Sequence, residues 1–263
     1  MKPKVILLLG AVLVSILFIS SCAEQGGYRN SPPHPSATAE GAARDSRKSR
    51  VEEDRPGLAT GWGDEKESKL RNVSFTRSSS KPKGTDAIFY NDREGIEAMS
   101  NRPQKVGAMQ TAAGGLVEWG IKGGGFGYLP AYKENGWGRR LVAGSKGNSY
   151  SIVVKNRSKS DLEIVASVDG LDVQDGKTAT FSKRGYIVAP GKSLEIEGFR
   201  TSYSKVAAFE FSSVSNSYAN LRHGDTRNVG VIGIAVFTQK GVDPWKSAEV
   251  QRRENARTFA EAP

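Results

Sequence analysis

The chain has 263 residues, with 38 Lys and Arg against 28 Asp and Glu, a formal net charge of +10, two histidines and a single cysteine. One cysteine excludes an internal disulfide, a zinc cluster and a redox pair, and two histidines leave little material for a nucleophilic triad or a zinc site. The positive balance suits an anionic partner, but no Lys/Arg stripe is interleaved with stacking aromatics, so nucleic acid is not expected as a partner.

Residues 1–21 have the pattern of a secretory signal. Lys2 and Lys4 make a charged start, and Val5 to Ile19 form an apolar run shorter than the roughly twenty residues a membrane span needs. The run ends in Ile19-Ser20-Ser21-Cys22. This ending resembles the lipobox of bacterial lipoproteins: a branched apolar residue, two small residues and a cysteine. The resemblance covers only the leader. It implies cleavage before Cys22, lipidation of its thiol and further acylation of the new amino terminus, and hence a membrane partner reached through acylated Cys22. Two or three acyl chains give stable anchoring, at about 0.8 kcal/mol per buried methylene. With Ala23 next in the chain, the resemblance also implies a cell-envelope location, at the outer membrane where the host has two.

Residues 22–55 are mostly Gly, Ser, Pro, Ala and charge, a composition that cannot bury enough apolar surface to offset chain entropy and that predicts a disordered tether, lipidated at Cys22 as the leader resemblance implies. Residues 56–140 read as a preface packing on a later sandwich. Pro56–Glu65 suggests an ordered loop with Trp62 as its apolar pin, against the alternative of an exposed aromatic contact. Ala87–Tyr90 is a short strand, and Asn91-Asp92-Arg93-Glu94 before Ile96 forms a capping-box pattern opening one short helix that ends before Pro103.

Trp119, Phe126, Tyr128, Tyr132 and Trp137 then lie among glycines. The run Gly123–Gly127 lacks the Lys-Ser/Thr of a phosphate loop, the spacing of a dinucleotide fingerprint and a following helix, which argues against nucleotide. Two readings stay open. The aromatics form a platform for sugar rings, with Asn135 and Arg139 supplying hydrogen bonds, or they seal one edge of the sandwich.

Residues 141–245 carry the densest pattern. Short apolar runs alternate with Gly, Pro, Asn and Asp, predicting an all-β fold: an antiparallel β-sandwich, jelly-roll-like in its strand pattern. Strands are expected near 149–156, 161–168, 178–181, 185–189, 193–199, 205–212 and 229–238. Leu162, Ile164, Ala166 and Val168 share one parity and one face, whereas Val229–Phe237 is apolar on both parities and fits a central strand covered on both sides. Asp169-Gly170, Asp175-Gly176 and Pro190-Gly191 are turn dipeptides. The segments Arg184–Val188, Pro190-Gly191 and Asn228–Gly233 are similar to a β-rich domain of bacterial secreted proteins and lipoproteins, over roughly residues 150–237. That likeness brings no activity and no catalytic residue with it. Residues 246–263 form a charged tail without a sustained helical stripe.

No catalytic set emerges. His34 lies in the tether, His223 in a turn-like segment, and no Gly-x-Ser-x-Gly elbow is present. Turn chemistry accounts for Asp169 and Asp175, and Asp169, Asp172 and Asp175 do not have the spacing of a twelve-residue calcium loop. Asp64, Glu94, Glu118 and Glu134 are the carboxylates from which a glycosidase pair could be drawn. The expectation is a lipid-anchored envelope protein presenting a binding or structural module toward protein or glycan, without cofactor or metal. The alternative is a polysaccharide-acting hydrolase.

Overall fold

The computed structural model describes residues 55–69, 73–125 and 127–247, with Arg253 and Ala256, all within one compact unit, Val51–Pro263. The leader, Cys22, nearly all of the tether, most of the tail and Phe126 lie outside the described residues. In chain order the strands begin with β1 (Leu58–Glu67) and β2 (Gly84–Asn91). The helix α1 (Arg93–Met99) precedes β3 (Gln104–Val106), β4 (Gln110–Ala112), β5 (Val117–Gly123), β6 (Ala131–Lys133) and β7 (Arg140–Ala143). Then come β8 (Ser149–Asn156), β9 (Leu162–Val168), β10 (Leu171–Asp172), β11 (Tyr186–Val188), β12 (Ser193–Ile196), β13 (Gly198–Arg200) and β14 (Lys205–Ser213). A second helix, α2 (Tyr218–His223), and β15 (Val231–Thr238) follow, and a short 3-10 turn (Ala113–Gly115) joins β4 to β5.

They form an all-β sandwich. The first sheet has seven strands in the order β1-β14-β8-β5-β4, with β12 on β8 and β13 on β14. The second has eight, in the order β10-β9-β15-β2-β7-β6-β3, with β11 on β9. Every pairing is antiparallel except the parallel pair β2–β7. Two-residue periodicity turns Val117, Trp119 and Ile121 of β5, Ile152 and Val154 of β8, and Phe209 and Phe211 of β14 toward Ile88, Ile164, Ile232 and Ile234 of the facing sheet, in one continuous core.

Residues 56–140 are integral to both sheets, where a peripheral preface was expected. The Pro56–Glu65 loop is instead most of β1, paired from Leu58 opposite Ser213 to Glu67 opposite Lys205 across a bulge after Trp62, and β2 lies beside β15 at the middle of the second sheet. The backbone partners supplied by β14 override a Gly-rich, charged sequence with no alternation. Trp62 is 51% exposed, yet it lies against Tyr218 at 4.8 Å and Phe199 at 6.4 Å, so it is both pin and surface.

Among the described residues two α-helical elements, α1 and α2, are present where one is expected. Asp92 caps α1 by accepting from Gly95 N at 2.7 Å. In α2, Ser217 accepts from Asn220 N and Gly224 closes the helix at φ 61°, so His223 ends a helical turn, its Nε2 2.8 Å from Gly176 O. No strand forms over 178–181; only an isolated Leu171–Thr178 bridge occurs there. Phe181, the large apolar residue of that segment, stays 53% exposed instead of entering the core, and the Phe181 and Lys183 carbonyls are taken by Arg77. The ribbon 193–200 breaks at Glu197 because its first half pairs with β8 and its second with β14, filling the gap where those strands diverge. A Cβ at Gly198 would lie 1.9 Å from Ala207 O. Gly198→Ala should therefore lower stability by about 3 kcal/mol, measured as a shift in the urea midpoint.

β15 is central, as its composition predicts, but its outer face is only partly covered. Ala235 and Phe237 are buried there with Val165, whereas Val231 and Gly233 are half-buried. No helix among the described residues is long and apolar enough to cross a membrane.

Candidate functional site

The aromatic platform is not assembled. Trp119 lies in the core, on the inward parity of β5, and its indole N–H donates to Asp86 Oδ2 at 2.7 Å. The same oxygen accepts from Gln110 Nε2, and Gln110 Oε1 accepts from Arg140 Nε at 2.9 Å, so Trp119 joins the two sheets and cannot meet a ligand. Tyr132 is buried with Ile96 and Leu141 in a satellite core under α1, with its hydroxyl 3.5 Å from Arg93 Nη1. Arg139 is committed to Glu134 through bonds of 2.5 and 2.6 Å and lies 4.9 Å from the Phe89 ring centroid. That pairing holds the Glu134 carboxyl below its ordinary pKa. Asn135 is likewise spent on the carbonyls of Asn101 and Arg102. Tyr128 is 44% exposed and Trp137 86%. Of the five predicted residues that the structure describes, only Tyr128 and Tyr132 share a cavity.

That cavity is a cleft of about 700 Å³. Its glycine wall is the loop leaving β5, where Gly123 N bonds Gly127 O at 3.0 Å and Gly124 N bonds Ser149 O at 2.7 Å. The opposite wall is the turn from Gly144 to Ser149, and Arg93, at the start of α1, closes one side. Gly144 must lack a side chain, because a Cβ there would lie 2.6 Å from the Phe211 ring. The described lining offers the Ser145, Asn148 and Ser149 side chains, the Arg93 guanidinium and two phenol rings, with no carboxylate, imidazole or thiol. Such a lining can bind hydroxyl groups and flat apolar faces. Arg93, Ser145, Asn148 and Ser149 are not singled out by the sequence, where Arg93 falls in the capping pattern and Ser149 at the start of an expected strand.

The candidate acids lie apart from the cleft. Asp64 and Glu94 are exposed, Glu118 is 3.5 Å from Arg157, and Glu134 belongs to Arg139. Among the described residues, no three His, Cys, Asp or Glu are placed to share a metal ion. The carboxyls with raised pKa are Asp169 and Asp172, both inside the fold, and burial is the first cause in each. For Asp169 burial pushes the value up to about 6. The Asp169 turn has the expected left-handed backbone, φ 54° followed by 80° at Gly170, but its carboxylate is also an interior acceptor. Oδ2 accepts from Thr60 N at 2.8 Å, and Oδ1 accepts from Tyr90 OH at 2.7 Å and Gly230 N at 2.9 Å. With the Tyr90 proton spent on Asp169, Thr60 donates to Tyr90 and Tyr150 donates to Thr60, over 2.7 and 2.6 Å. This chain of hydroxyls spans both sheets and is structural.

Searches of family models, of curated proteins and of solved structures found no match to this chain.

Proposed function

We propose that this chain is a lipid-anchored cell-envelope protein whose sandwich is a binding module, and that the cleft between the glycine loop and the Gly144–Ser149 turn receives a sugar unit of an envelope glycan. The cleft carries the reading. It pairs the half-exposed Tyr128 ring with hydroxyl, amide and guanidinium groups around a volume of about 700 Å³, within the size range of small-ligand sites. The anchoring half of the reading is supported by the sequence Ile19-Ser20-Ser21-Cys22.

The two halves separate experimentally. Full-length chain grown with a labelled fatty acid should incorporate label, and Cys22→Ser should not; incorporation by the variant would remove the anchor. For the cleft, purified protein is titrated with soluble wall-polymer fragments. Tyr128→Ala is expected to weaken binding by about tenfold, equivalent to roughly 1.4 kcal/mol, with an unchanged melting temperature because the ring is half in solvent. Equal affinity in the parent, Tyr128→Ala and Asn148→Ala would reject this cleft as the site.

A further inference from the structure

Trp137 is the most exposed large apolar side chain among the described residues, at 86%, and it is held in that position. It sits in the turn joining β6 to β7. Glu134 N bonds Arg139 O at 2.9 Å, and the Glu134–Arg139 pair clasps the two ends of the turn. Asn135 fastens the turn to the end of α1, its N–H on Ser100 Oγ at 3.1 Å and its amide on the Asn101 and Arg102 carbonyls, both at 2.8 Å. Gly136 and Gly138, at φ 107° and 71°, bend the backbone on either side of the indole. A well-fastened turn therefore presents a bare tryptophan.

Its surroundings are cationic. Arg102, Lys105 and Lys133 are exposed, and no described carboxylate forms an ion pair with any of them. The Lys133 stem passes beside the turn, with Cε 3.8 Å from where a Cβ of Gly138 would stand. Glu134, the acid within the turn, is neutralised by Arg139, and Glu97, which lines a hollow shared with Arg102, is paired with Arg93 at 2.9 Å. A protein hot spot needs an apolar setting that excludes water around its aromatic residue, whereas here the neighbours are glycine, amide and cation. An indole among cations matches a different surface. Tryptophan favours the headgroup level of a bilayer, where its ring is half immersed and its N–H stays wet, and Lys and Arg are drawn to anionic headgroups.

We infer that the β6–β7 turn is a docking point for an anionic lipid surface, with Trp137 entering the headgroup layer and Lys133 and Arg102 meeting the phosphates. The inference is independent of the sugar cleft and of Cys22. The test uses residues 51–263, which hold both sheets and the core as one compact unit, and so lacks any acyl chain. The fragment is sedimented with phosphatidylcholine vesicles, with or without phosphatidylglycerol. Binding is expected only with phosphatidylglycerol, weakening as salt rises. Trp137→Ala should reduce it by roughly tenfold, and Lys133→Glu with Arg102→Glu should abolish it, with melting temperatures unchanged in each case. Trp137→Phe should retain part of the binding. Failure of the fragment to sediment with either vesicle overturns the inference, as does equal binding to both compositions or binding by Trp137→Ala equal to the parent. Loss of wall-polymer or protein binding in Trp137→Ala, without vesicle binding by the parent, overturns it in favour of that partner.

Discussion

Asp169→Ala is expected to lower the free energy of unfolding by about 3–5 kcal/mol, seen as a fall in urea midpoint at constant m. The carboxylate satisfies Thr60 N, Gly230 N and Tyr90 OH, and its removal strands three buried donors at about 1–3 kcal/mol each, offset in part by local relaxation. The same residue sets a pH dependence. Burial raises its folded pKa from the ordinary 3.8 to about 6, so the folded state holds the proton more tightly than the unfolded chain. The stabilisation from that proton is complete below pH 3.8 and is lost as pH rises through about 6, a change on the order of 3 kcal/mol. Asp175 and Glu195 are shifted downward and act in the opposite sense, but they lie near the surface and are screened by salt. Asp169→Asn isolates the effect: it should be less stable than the parent at every pH and should lose the decline between pH 4 and 6. A parent and variant with parallel pH profiles would show that Asp169 does not titrate in this window.

Arg77→Met should cost about 3–5 kcal/mol, because it leaves a buried carboxylate without its cation. Glu163 is almost fully enclosed and takes Arg77 Nε and Nη2 at 2.7 and 3.0 Å, as well as Gly185 N at 2.7 Å. Arg77 also lies 3.7 Å over the Phe237 ring and binds the carbonyls of Phe181 and Lys183. One guanidinium thus covers the end of β15 and fixes the segment before β11. Beyond the fall in midpoint, limited proteolysis should find new cleavage between 178 and 185. Arg77→Met with Glu163→Leu should recover part of the loss, since the stranded charge is gone; a double variant no more stable than Arg77→Met would place the cost in the lost carbonyl bonds instead.

The strands legible from the sequence were those whose alternation reports burial directly: β8, β9, β14 and β15 lie where apolar parity and turn dipeptides place them. The helix start was nearly as legible, because capping is local, but the capping-box spacing puts the cap at Asn91 and the structure puts it one residue later, at Asp92. β1 was not, since Gly61, Gly63 and the charges from Asp64 to Glu67 carry no strand signal and the strand exists through β14. The 178–181 segment failed in reverse: its partners are the arginine side chain at 77 and a lone bridge, neither visible from nearby residues. For the site, residue type was readable but direction was not. Trp119 shares parity with Val117 and Ile121, a signal of inward orientation that was available. Nothing local marks Arg93 and Asn148, far apart in sequence, as facing one cleft.

The pairing of the chain's ends affects how this protein is made. β1 joins β14 with Leu58 opposite Ser213, and β2 joins β15 with Ile88 opposite Ile232, so the earliest strands must wait for nearly the last. Such distant pairing folds slowly, over milliseconds to seconds. Until β15 emerges, β9 and β2 have no strand between them, and the second sheet cannot close over the core.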